Sequence, residues 1–357
     1  MYIYKVVLTG GPRSGKTSLI KELRKEYSKR DDIVLITVPE TASLLRNNGI
    51  TSDVMQSTYD FQNLLFKVQY FKEKQAESVA QRISEKKDVV IVYDRGLLDN
   101  KAYLNSQEEF DSILKSHACK ELEILDKYDL IIDLISTAGS EYGYETGTNE
   151  ARFEDEGEAI KTDIKTTEAW LGHKNIKIVK PSETFEEKYA KVSNLIDILV
   201  KSNRSFFVEK RINPIDSINL SDFKDGKTKR ITTMEYDLDY KMPTLGRYRI
   251  YERTYKGCVS YLLQTYRNFD IVKRIDSIKS IDEATANAFI EQFGIETMRK
   301  KDEIYYYRDG EIRRVNIYDD SINETVEYDS SFESKEKEIT DSNKVLQKRF
   351  DNRHIIC

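Results

Sequence analysis

The stretch Leu8–Ile20, LTGGPRSGKTSLI, decides the fold of the N-terminal half of this chain. Gly10, Gly15, Lys16 and Thr17 fit the pattern G-x-x-x-x-G-K-[ST]. An apolar run precedes the pattern, and a segment with apolar residues at helical spacing follows it. This order of strand, loop and helix predicts a phosphate-binding loop near the start of an α/β domain.

The residues of the loop have separate expected tasks. Glycines let backbone N–H groups turn toward phosphate oxygens, the Lys16 ammonium reaches the β- and γ-phosphates, and the Thr17 hydroxyl suits Mg²⁺. We therefore expect ATP or GTP with Mg²⁺ to bind here, and no N-K-x-D motif decides between the two bases. The expected nucleotide-binding residues are Gly10, Gly11, Ser14, Gly15, Lys16, Thr17, Ser18 and Arg95.

Further apolar runs continue the same pattern down the chain. They read DIVLITVPE, KDVVIVYDR, DLIIDLIS and IKIVK, and helical patterns lie between them, among them about 56–85 and 108–127. Strands of continuous apolar character separated by helices indicate a parallel sheet covered on both faces. The sequence predicts an α/β P-loop domain over residues 1–202.

Polar residues at the ends of these runs are candidates for chemistry. Asp94 ends the third run and is either a ligand of Mg²⁺ or its water shell, or a helix cap. Arg95 contacts either phosphate or a nearby carboxylate. Glu40 ends the second run, at the edge where open α/β sheets bind ligands. It is either a base that accepts a proton from a substrate hydroxyl or a first-turn helix carboxylate.

A Gly-rich polar segment runs between Ser136 and Gly157, before another helical pattern. Such a segment after a sheet strand is suited to a lid over the phosphates, with Arg152 as the cation that meets developing charge. A simple exposed loop is the alternative.

Composition excludes several classes of protein. No stretch approaches the roughly 20 apolar residues that a membrane span needs, and the first predicted strand begins at Tyr2, so we expect a cytoplasmic protein. The 3 cysteines are far apart and indicate no disulfide framework. The net charge of −5, from 57 Lys and Arg against 62 Asp and Glu, argues against nucleic acid as a general partner.

The second half alternates residue types with period two, which predicts an antiparallel β domain over 203–332, with one helix at about 281–293 and a charged tail over 333–357. Lys and Arg exceed Asp and Glu between Arg204 and Lys301. A barrel that turns these cations inward would bind a polyphosphate, whereas the alternative is a solvent-facing surface. The expected phosphate-binding residues are Glu209, Arg211, Arg247, Arg249, Lys273, Arg299 and Lys301.

The segments LTGGPRSGKTSLIKEL, VPETA, VVIVYDRG and NEARFEDEGEAI together resemble the P-loop ATPase/kinase domain of NadR-type nicotinamide riboside kinases and of the TRPL translocation defect protein family. The likeness covers roughly residues 1–200. It implies the fold of nucleoside and nucleotide kinases, with phosphate, Mg²⁺ and lid roles for Lys16, Thr17, Asp94 and Arg152.

The second half resembles the CYTH or triphosphate-tunnel fold over roughly residues 204–330. The E-x-E-x-K motif of that family aligns with Phe207, Glu209 and Arg211. Because Phe207 replaces the first acid, we do not expect triphosphate hydrolysis in this domain. The likeness to the TRPL translocation defect proteins implies phosphoinositide or phosphatidic acid head groups as its ligand, which would bring the protein into peripheral contact with a membrane.

The combined hypothesis is a Mg²⁺-dependent ATP- or GTP-binding NTPase or phosphotransferase whose second domain binds an anionic phosphate ligand, such as polyphosphate, a nucleotide or a phosphoinositide head group. Its catalytic residues would be Lys16, Glu40, Asp94 and Arg152. One alternative is a nucleotide-controlled lipid- or protein-binding module with little turnover. Another is a nucleoside-type small-molecule kinase.

Overall fold

The structure is a computed structural model, and it divides the chain into two compact units, the first built mainly from residues up to Leu199 and the second mainly from Val200 onward. Each unit is described by itself. The described residues are 2–12, 14–136, 156–182, 184–201, 205–212, 228–241, 246–269, 272–308, 310–318 and 322–328.

The first unit is a parallel sheet with helices between its strands. In chain order its elements are β1 (Ile3–Thr9), α1 (Lys16–Tyr27), β2 (Ile33–Val38), α2 (Thr41–Asn47), α3 (Thr58–Ile83), β3 (Asp88–Asp94), a 3-10 helix (Leu97–Tyr103), α4 (Gln107–Ser116), α5 (Glu121–Asp126), β4 (Leu130–Leu134), α6 (Glu156–Ala169), β5 (Ile176–Val179) and α7 (Phe185–Lys201). The strand order is β2-β3-β1-β4-β5, and neighbouring strands pair in parallel. The predicted parallel α/β sheet is confirmed.

The helix expected over about 108–127 is two helices, α4 and α5. The chain turns between them at Ala118, whose φ of 51° lies in the left-handed region and cannot continue a right-handed helix. The apolar spacing runs across this turn because both helices bury their apolar residues, which include Ile113, Leu114, Leu122 and Leu125. A continuous apolar pattern therefore concealed the break.

The centre of the first unit lies on β3 and β4. Residues 89–93 of β3 are fully buried, and β4 is buried along its whole length, because helices cover both faces of the sheet. Trp170, which follows α6, is also fully buried. A Cβ at Gly96 would lie 2.7 Å from its ring, so only glycine fits beside the indole where the chain leaves β3.

Parallel strand order places the chemistry of the first unit at one edge. Leu8 pairs with Asp94, and Thr9 pairs with Asp133. The loop that follows β1 therefore lies between two carboxylates at the ends of the neighbouring strands β3 and β4. The carboxyl edge of a parallel sheet is the usual ligand-binding edge of such folds.

The second unit is antiparallel. Its elements are β6 (Ser205–Ile212), β7 (Thr228–Lys241), β8 (Gly246–Tyr255), β9 (Cys258–Phe269), β10 (Val272–Ile281), α8 (Glu283–Phe293), β11 (Ile295–Arg308), β12 (Glu311–Tyr318) and β13 (Ile322–Tyr328). The strands close into a barrel in the order β10-β6-β13-β12-β11-β7-β8-β9. The predicted C-terminal antiparallel sheet is confirmed, and β10 and β13 are strands that the alternation did not reveal.

The two sides of the barrel wall differ in character, as β8 shows. Ile250 packs with Leu238 and with Ala286 of α8 in an apolar cluster on one side. Arg249 and Arg253 alternate with Ile250 and are buried, so they turn to the opposite side, into the barrel. An eight-stranded barrel is just wide enough for side chains to fill it, and here the filling is polar.

The longest helix in the described part of the chain, α3, has 26 residues. Its middle carries Lys72, Glu73 and Lys74 in succession. No helix among the described residues combines the length and the apolar character that crossing a bilayer requires.

Candidate functional site

The backbone of the loop after β1 explains its glycines. Gly10 has a φ of 126° and Gly15 a φ of 87°, both in the region that favours glycine. A Cβ on Gly10 would lie 2.1 Å from the carbonyl oxygen of Leu134 in β4. The loop can therefore lie against β4 only with glycine at this position.

Lys16 is the first residue of α1 and is buried inside the curl of the loop. Its Nζ donates to the carbonyl oxygens of Gly10 (2.9 Å) and Gly11 (2.8 Å) and to Ser14 Oγ (2.8 Å). The ammonium and the N-terminus of α1 place positive charge in the same small space. The loop is thus built for an anion, as the sequence predicts.

Asp94 ends β3 beside this charge. Its side chain is buried, and its Oδ1 accepts no hydrogen bond from any described residue. Burial raises the pKa of the carboxyl group, and the positive charge of Lys16 opposes that rise. A buried carboxylate oxygen without a donor is suited to a cation or to a water that a cation holds.

The residues at the loop fit Mg²⁺. Asp94 offers an oxygen that lacks a protein partner, and Thr17 lies exposed at the start of α1, where its hydroxyl is accessible. Both are the hard oxygen ligands that Mg²⁺ prefers. Within the described residues no three His, Cys, Asp or Glu side chains form a metal cluster, so the remaining ligands would be water and phosphate oxygens.

Arg95 follows Asp94 in a left-handed conformation, with a φ of 70°. Its Nε donates to Glu40 Oε1 (2.9 Å), and its Nη1 lies 3.8 Å from Asp99 Oδ1. Gln69 of α3 donates to its carbonyl oxygen (3.0 Å). Burial lowers the pKa of the guanidinium, but neighbours including Tyr103, Glu40 and Asp99 more than offset this, so Arg95 stays charged.

Glu40 is the N-cap residue of α2, and its carbonyl oxygen accepts from Leu44 N (3.4 Å). Its side chain accepts no capping hydrogen bond from α2. It accepts instead from Arg95 Nε and from Ser43 Oγ. With its side chain only 12% exposed, the carboxylate lies at the edge of a cleft.

The cleft beside the loop encloses about 560 Å³, part of which is open to solvent. Its walls come from the loop, from α2, from one face of α3 and from the 3-10 helix. They consist of Pro12, Glu40, Thr41, Ala42, Arg46, Phe61, Gln62, Leu65, Gln69, Arg95, Asp99, Asn100 and Tyr103. Glu40 and Arg95 thus face a partly open cleft beside the phosphate loop.

Three acidic residues near the loop were missed by the sequence reasoning. Asp99 accepts from Thr9 Oγ1 and from Gly96 N (2.6 Å). Asp133, within the run DLIIDLIS, is fully buried, and burial raises its pKa to about 7. A charged residue inside an apolar strand pattern was the available signal for Asp133.

The third missed acid, Asp163, belongs to α6 and fastens that helix to the loop. Its Oδ1 accepts from Gly11 N (2.6 Å), and its Oδ2 accepts from Ser136 N (3.1 Å). Nearby, Thr167 Oγ1 donates to Asp133 Oδ2 (2.5 Å). No local pattern marks Asp163, because its partners are distant in sequence.

The other predicted residues of the first unit are placed as follows. Ser14 Oγ accepts from Lys16, and Gly11 leaves room for Asp163, whose Oδ1 would lie 2.5 Å from a Cβ at that position. Ser18 is exposed in the first turn of α1. Arg152 and most of the proposed lid lie outside the described residues.

The predicted cations of the second unit fall into two groups. Arg249 donates to both carboxylate oxygens of Asp237 (2.6 and 2.8 Å) inside the barrel. Lys301 lies 2.6 Å from Glu235 and 3.0 Å from Glu303. Both inward cations therefore have carboxylate partners, and the sequence reasoning had singled out none of those three acids.

The remaining cations of the second unit are more exposed. Arg247 pairs with Glu296 (2.6 Å), and Arg299 lies 4.1 Å from the centre of the Tyr318 ring. The backbones of Glu209 and Arg211 lie in β6 and that of Lys273 in β10, whereas their side chains are outside the described part of the structure.

Strand order, loop geometry and strand-end acids define the first unit as a P-loop nucleotide-binding α/β domain. The profile of a family described as an AAA domain matches residues 5–188, and the chain belongs to that family. The match supports a P-loop NTPase or kinase domain at the N-terminus. No match was found among curated proteins.

The solved structures with some similarity share little sequence identity with this chain. Thymidylate kinase from Candida albicans is 17% identical, with a TM-score of 0.38, and the match covers 55% of this chain and 92% of that chain. The PH1012 protein from Pyrococcus horikoshii OT3 is 17% identical, with a TM-score of 0.30, over 38% of this chain and 84% of that chain. A conserved hypothetical protein from Pyrococcus furiosus is 21% identical, with a TM-score of 0.30, over 40% and 90%. Likeness of this degree defines neither substrate nor reaction.

Proposed function

We propose that the first unit is a Mg²⁺-dependent phosphotransferase that moves the γ-phosphoryl group of ATP or GTP onto a hydroxyl group of a small acceptor. The observation that carries this proposal is the Glu40–Arg95 pair, which faces a cleft next to the phosphate loop. A protein that only hydrolyses or senses nucleotide needs no such space lined by a carboxylate and an arginine.

The nucleotide would be held by the loop. The Lys16 ammonium and the backbone N–H groups at the start of α1 bind the β- and γ-phosphates, and Thr17 and Asp94 would hold Mg²⁺ or its water. When bound, Mg²⁺ neutralises charge on the phosphate oxygens. Arg152 is proposed as a further cation for the phosphates, on the resemblance stated above.

The acceptor would react from the cleft. Its hydroxyl oxygen forms a bond to the γ-phosphorus, the bond from that phosphorus to the β–γ bridging oxygen breaks, and the nucleoside diphosphate leaves. The hydroxyl proton passes to the Glu40 carboxylate. Arg95, held by Glu40 and Asp99, offers its guanidinium to the phosphoryl oxygens as they move.

Product analysis with γ-labelled ATP and GTP tests the proposal. Wild-type protein and the variants Lys16→Ala and Glu40→Gln are incubated with a panel of hydroxyl compounds. We expect labelled acceptor with the wild type and none with Lys16→Ala. Glu40→Gln should lower kcat by about 10²- to 10⁴-fold, the usual size of general-base catalysis, at unchanged nucleotide KM.

Glu85→Gln is the matched control, because Glu85 is an exposed residue after α3 and outside the cleft. It should react like the wild type. Release of inorganic phosphate with no labelled acceptor would contradict the phosphotransferase and favour an NTPase. Tight Lys16-dependent binding with little turnover would favour a nucleotide-controlled binding module.

For the second unit we propose an anionic phosphate ligand, in a CYTH-like domain over residues 203–332. Support comes from the cationic residues Arg247, Arg249, Arg299 and Lys301, and from the resemblance to the TRPL translocation defect proteins. The carboxylate partners of Arg249 and Lys301 would have to be displaced or bridged by the ligand.

The double variant Arg247→Ala with Arg299→Ala tests this second proposal, because it leaves the Arg249 and Lys301 pairs inside the barrel intact. Binding to phosphoinositide vesicles, to inorganic tripolyphosphate and to vesicles of neutral lipid is compared with wild type. Loss of binding to either phosphate probe supports the proposal and names the ligand. Wild-type protein that binds none of the three contradicts it.

A further inference from the structure

We propose that the acceptor carries an anionic group, a phosphate ester or a carboxylate, which Arg46 binds at the wall of the cleft. The inference rests on the phosphotransferase proposed above, and it names the chemical class of the acceptor. The inference is argued from the charged residues that line the cleft and from the partners that some of them already have.

The cleft is lined by two arginines and two carboxylates, Arg46, Arg95, Glu40 and Asp99. Arg95 contacts both carboxylates, with 2.9 Å to Glu40 and 3.8 Å to Asp99. Asp99 also accepts from Thr9 Oγ1 and Gly96 N. Both acids therefore already have protein partners.

Arg46 differs from Arg95 and the two acids in its contacts. Its exposed side chain forms no hydrogen bond or ion pair with any residue that the structure describes. An arginine side chain offers a planar fork of N–H donors that matches a carboxylate or a phosphate. Its uncompensated charge favours an acceptor with an acidic group.

Helix geometry gives the separation of Glu40 and Arg46 along the axis of α2. Glu40 immediately precedes α2, and Arg46 lies six residues further along the chain on the face that also presents Ala42 to the cleft. At 1.5 Å per residue, this separation is about 9 Å along the helix axis. An acceptor that contacts both Glu40 and Arg46 would therefore hold its reacting hydroxyl and its acidic group on different parts of the molecule.

Gln62 of α3 adds a neutral polar group to the cleft wall. Its side chain is only 5% exposed, and its Oε1 accepts no hydrogen bond from a described residue. A buried acceptor without a donor costs free energy unless a ligand supplies the donor. Gln62 Oε1 is therefore suited to a hydroxyl or N–H group of the acceptor, whatever the acidic group is.

Matched pairs of acceptors test the inference. With γ-labelled nucleotide, the full-length protein is given glucose, glucose 6-phosphate and glucuronate, and likewise adenosine and AMP. We expect transfer to an anionic member of a set at a KM at least 10-fold below that of its neutral counterpart. Comparison of the phosphorylated compounds with glucuronate shows whether Arg46 binds a phosphate or a carboxylate group.

The variant Arg46→Ala should raise the KM for the anionic acceptor by about 10- to 100-fold, the loss expected for a charge-assisted contact, and leave the neutral acceptor unchanged. Nucleotide KM should stay at the wild-type value. Arg82→Ala is the control, because Arg82 is exposed in the last turn of α3 and outside the cleft. Gln62→Leu should raise the KM of both members of a pair, whereas Gln75→Leu, an exposed site on the same helix, should raise neither.

The outcomes separate the two proposals. Transfer to neutral acceptors only, or a KM for the anionic acceptor that Arg46→Ala does not change, overturns the inference while the phosphotransferase stands. Phosphate release with no labelled acceptor across the panel overturns both.

Discussion

At the scale of single residues, the loop ties function to backbone geometry. Gly10 adopts a positive φ and lies against the Leu134 carbonyl, and Lys16 uses two loop carbonyls as acceptors. The same ammonium that would bind phosphate therefore also stabilises the curved backbone of the loop. Any substitution of Lys16 alters both the ligand site and the local fold, so thermal stability should accompany every binding measurement on Lys16→Ala.

Asp133 gives a prediction about pH. Burial raises its pKa to about 7 in the folded protein, against about 3.9 in an unfolded chain. Folding therefore binds a proton between these values, and stability falls as pH rises through that window, by up to about 4 kcal/mol at pH 7 from this group. Asp133→Asn, which resembles the neutral acid, should be more stable than wild type at pH 7 and closer to it at pH 4.5.

Urea unfolding at the two pH values measures this effect. Asp53→Asn is the control, because Asp53 is an exposed aspartate of the same unit. An equal stability difference between Asp133→Asn and wild type at both pH values would show that Asp133 does not titrate in this window.

At the scale of elements, α6 is bound to the loop by one carboxylate. Asp163 accepts from the backbone N–H groups of Gly11 and Ser136, which join α6 to the ends of β1 and β4. Asp163→Ala would leave both donors buried without an acceptor, at a cost of about 1–3 kcal/mol each. We expect a fall of about 2–6 kcal/mol in the free energy of unfolding of the first unit.

Chemical denaturation followed by circular dichroism measures that fall, and Asp53→Ala serves as its exposed control. Asp163→Asn should lie between wild type and Asp163→Ala, since its amide oxygen accepts one of the two hydrogen bonds. If the denaturation midpoint of Asp163→Ala equals that of Asp53→Ala, Asp163 does not stabilise the first unit through these two hydrogen bonds.

What the sequence predicted depends on how far apart the interacting residues are. The strand, loop and helix around Gly10 and Lys16 follow from local pattern, because their geometry is set within a few residues. The pairing of Asp163 with Gly11 spans 152 residues, and the pairing of Lys301 with Glu235 depends on strand register. Local patterns carry neither kind of information, so the loop was predictable and its acidic surroundings were not.

At the scale of the whole molecule, two acids of the barrel and Asp133 of β4 should respond to acid in opposite ways. In the barrel, cations overcome burial and lower the pKa of Glu235 and of Asp237 to about 2. Their stabilisation is complete above the unfolded pKa of about 4 and is lost as pH falls toward 2. Asp133 instead stabilises the first unit as pH falls from about 7 to 4.

Hydrogen exchange resolved by peptide measures this contrast on the full chain. After correction for the intrinsic pH dependence of exchange, peptides from β7 and β8 should lose protection below about pH 4, the unfolded pKa of their acids, while those from β3 and β4 keep it. Asp237→Asn should change the pH at which some of the β7 and β8 peptides lose protection. If peptides from β3 and β4 lose protection at a higher pH than those from β7 and β8, the expected titration of Glu235, Asp237 and Asp133 is contradicted.

The contact between Trp170 and Gly96 has an optical consequence. Trp170 is the chain's single tryptophan, and its buried indole lies on the backbone directly after Arg95. Its fluorescence therefore reports on the turn that carries the proposed catalytic arginine, with no background from a second indole. Binding of nucleotide and of acceptor can therefore be followed by the change in Trp170 emission, without a fluorescent label.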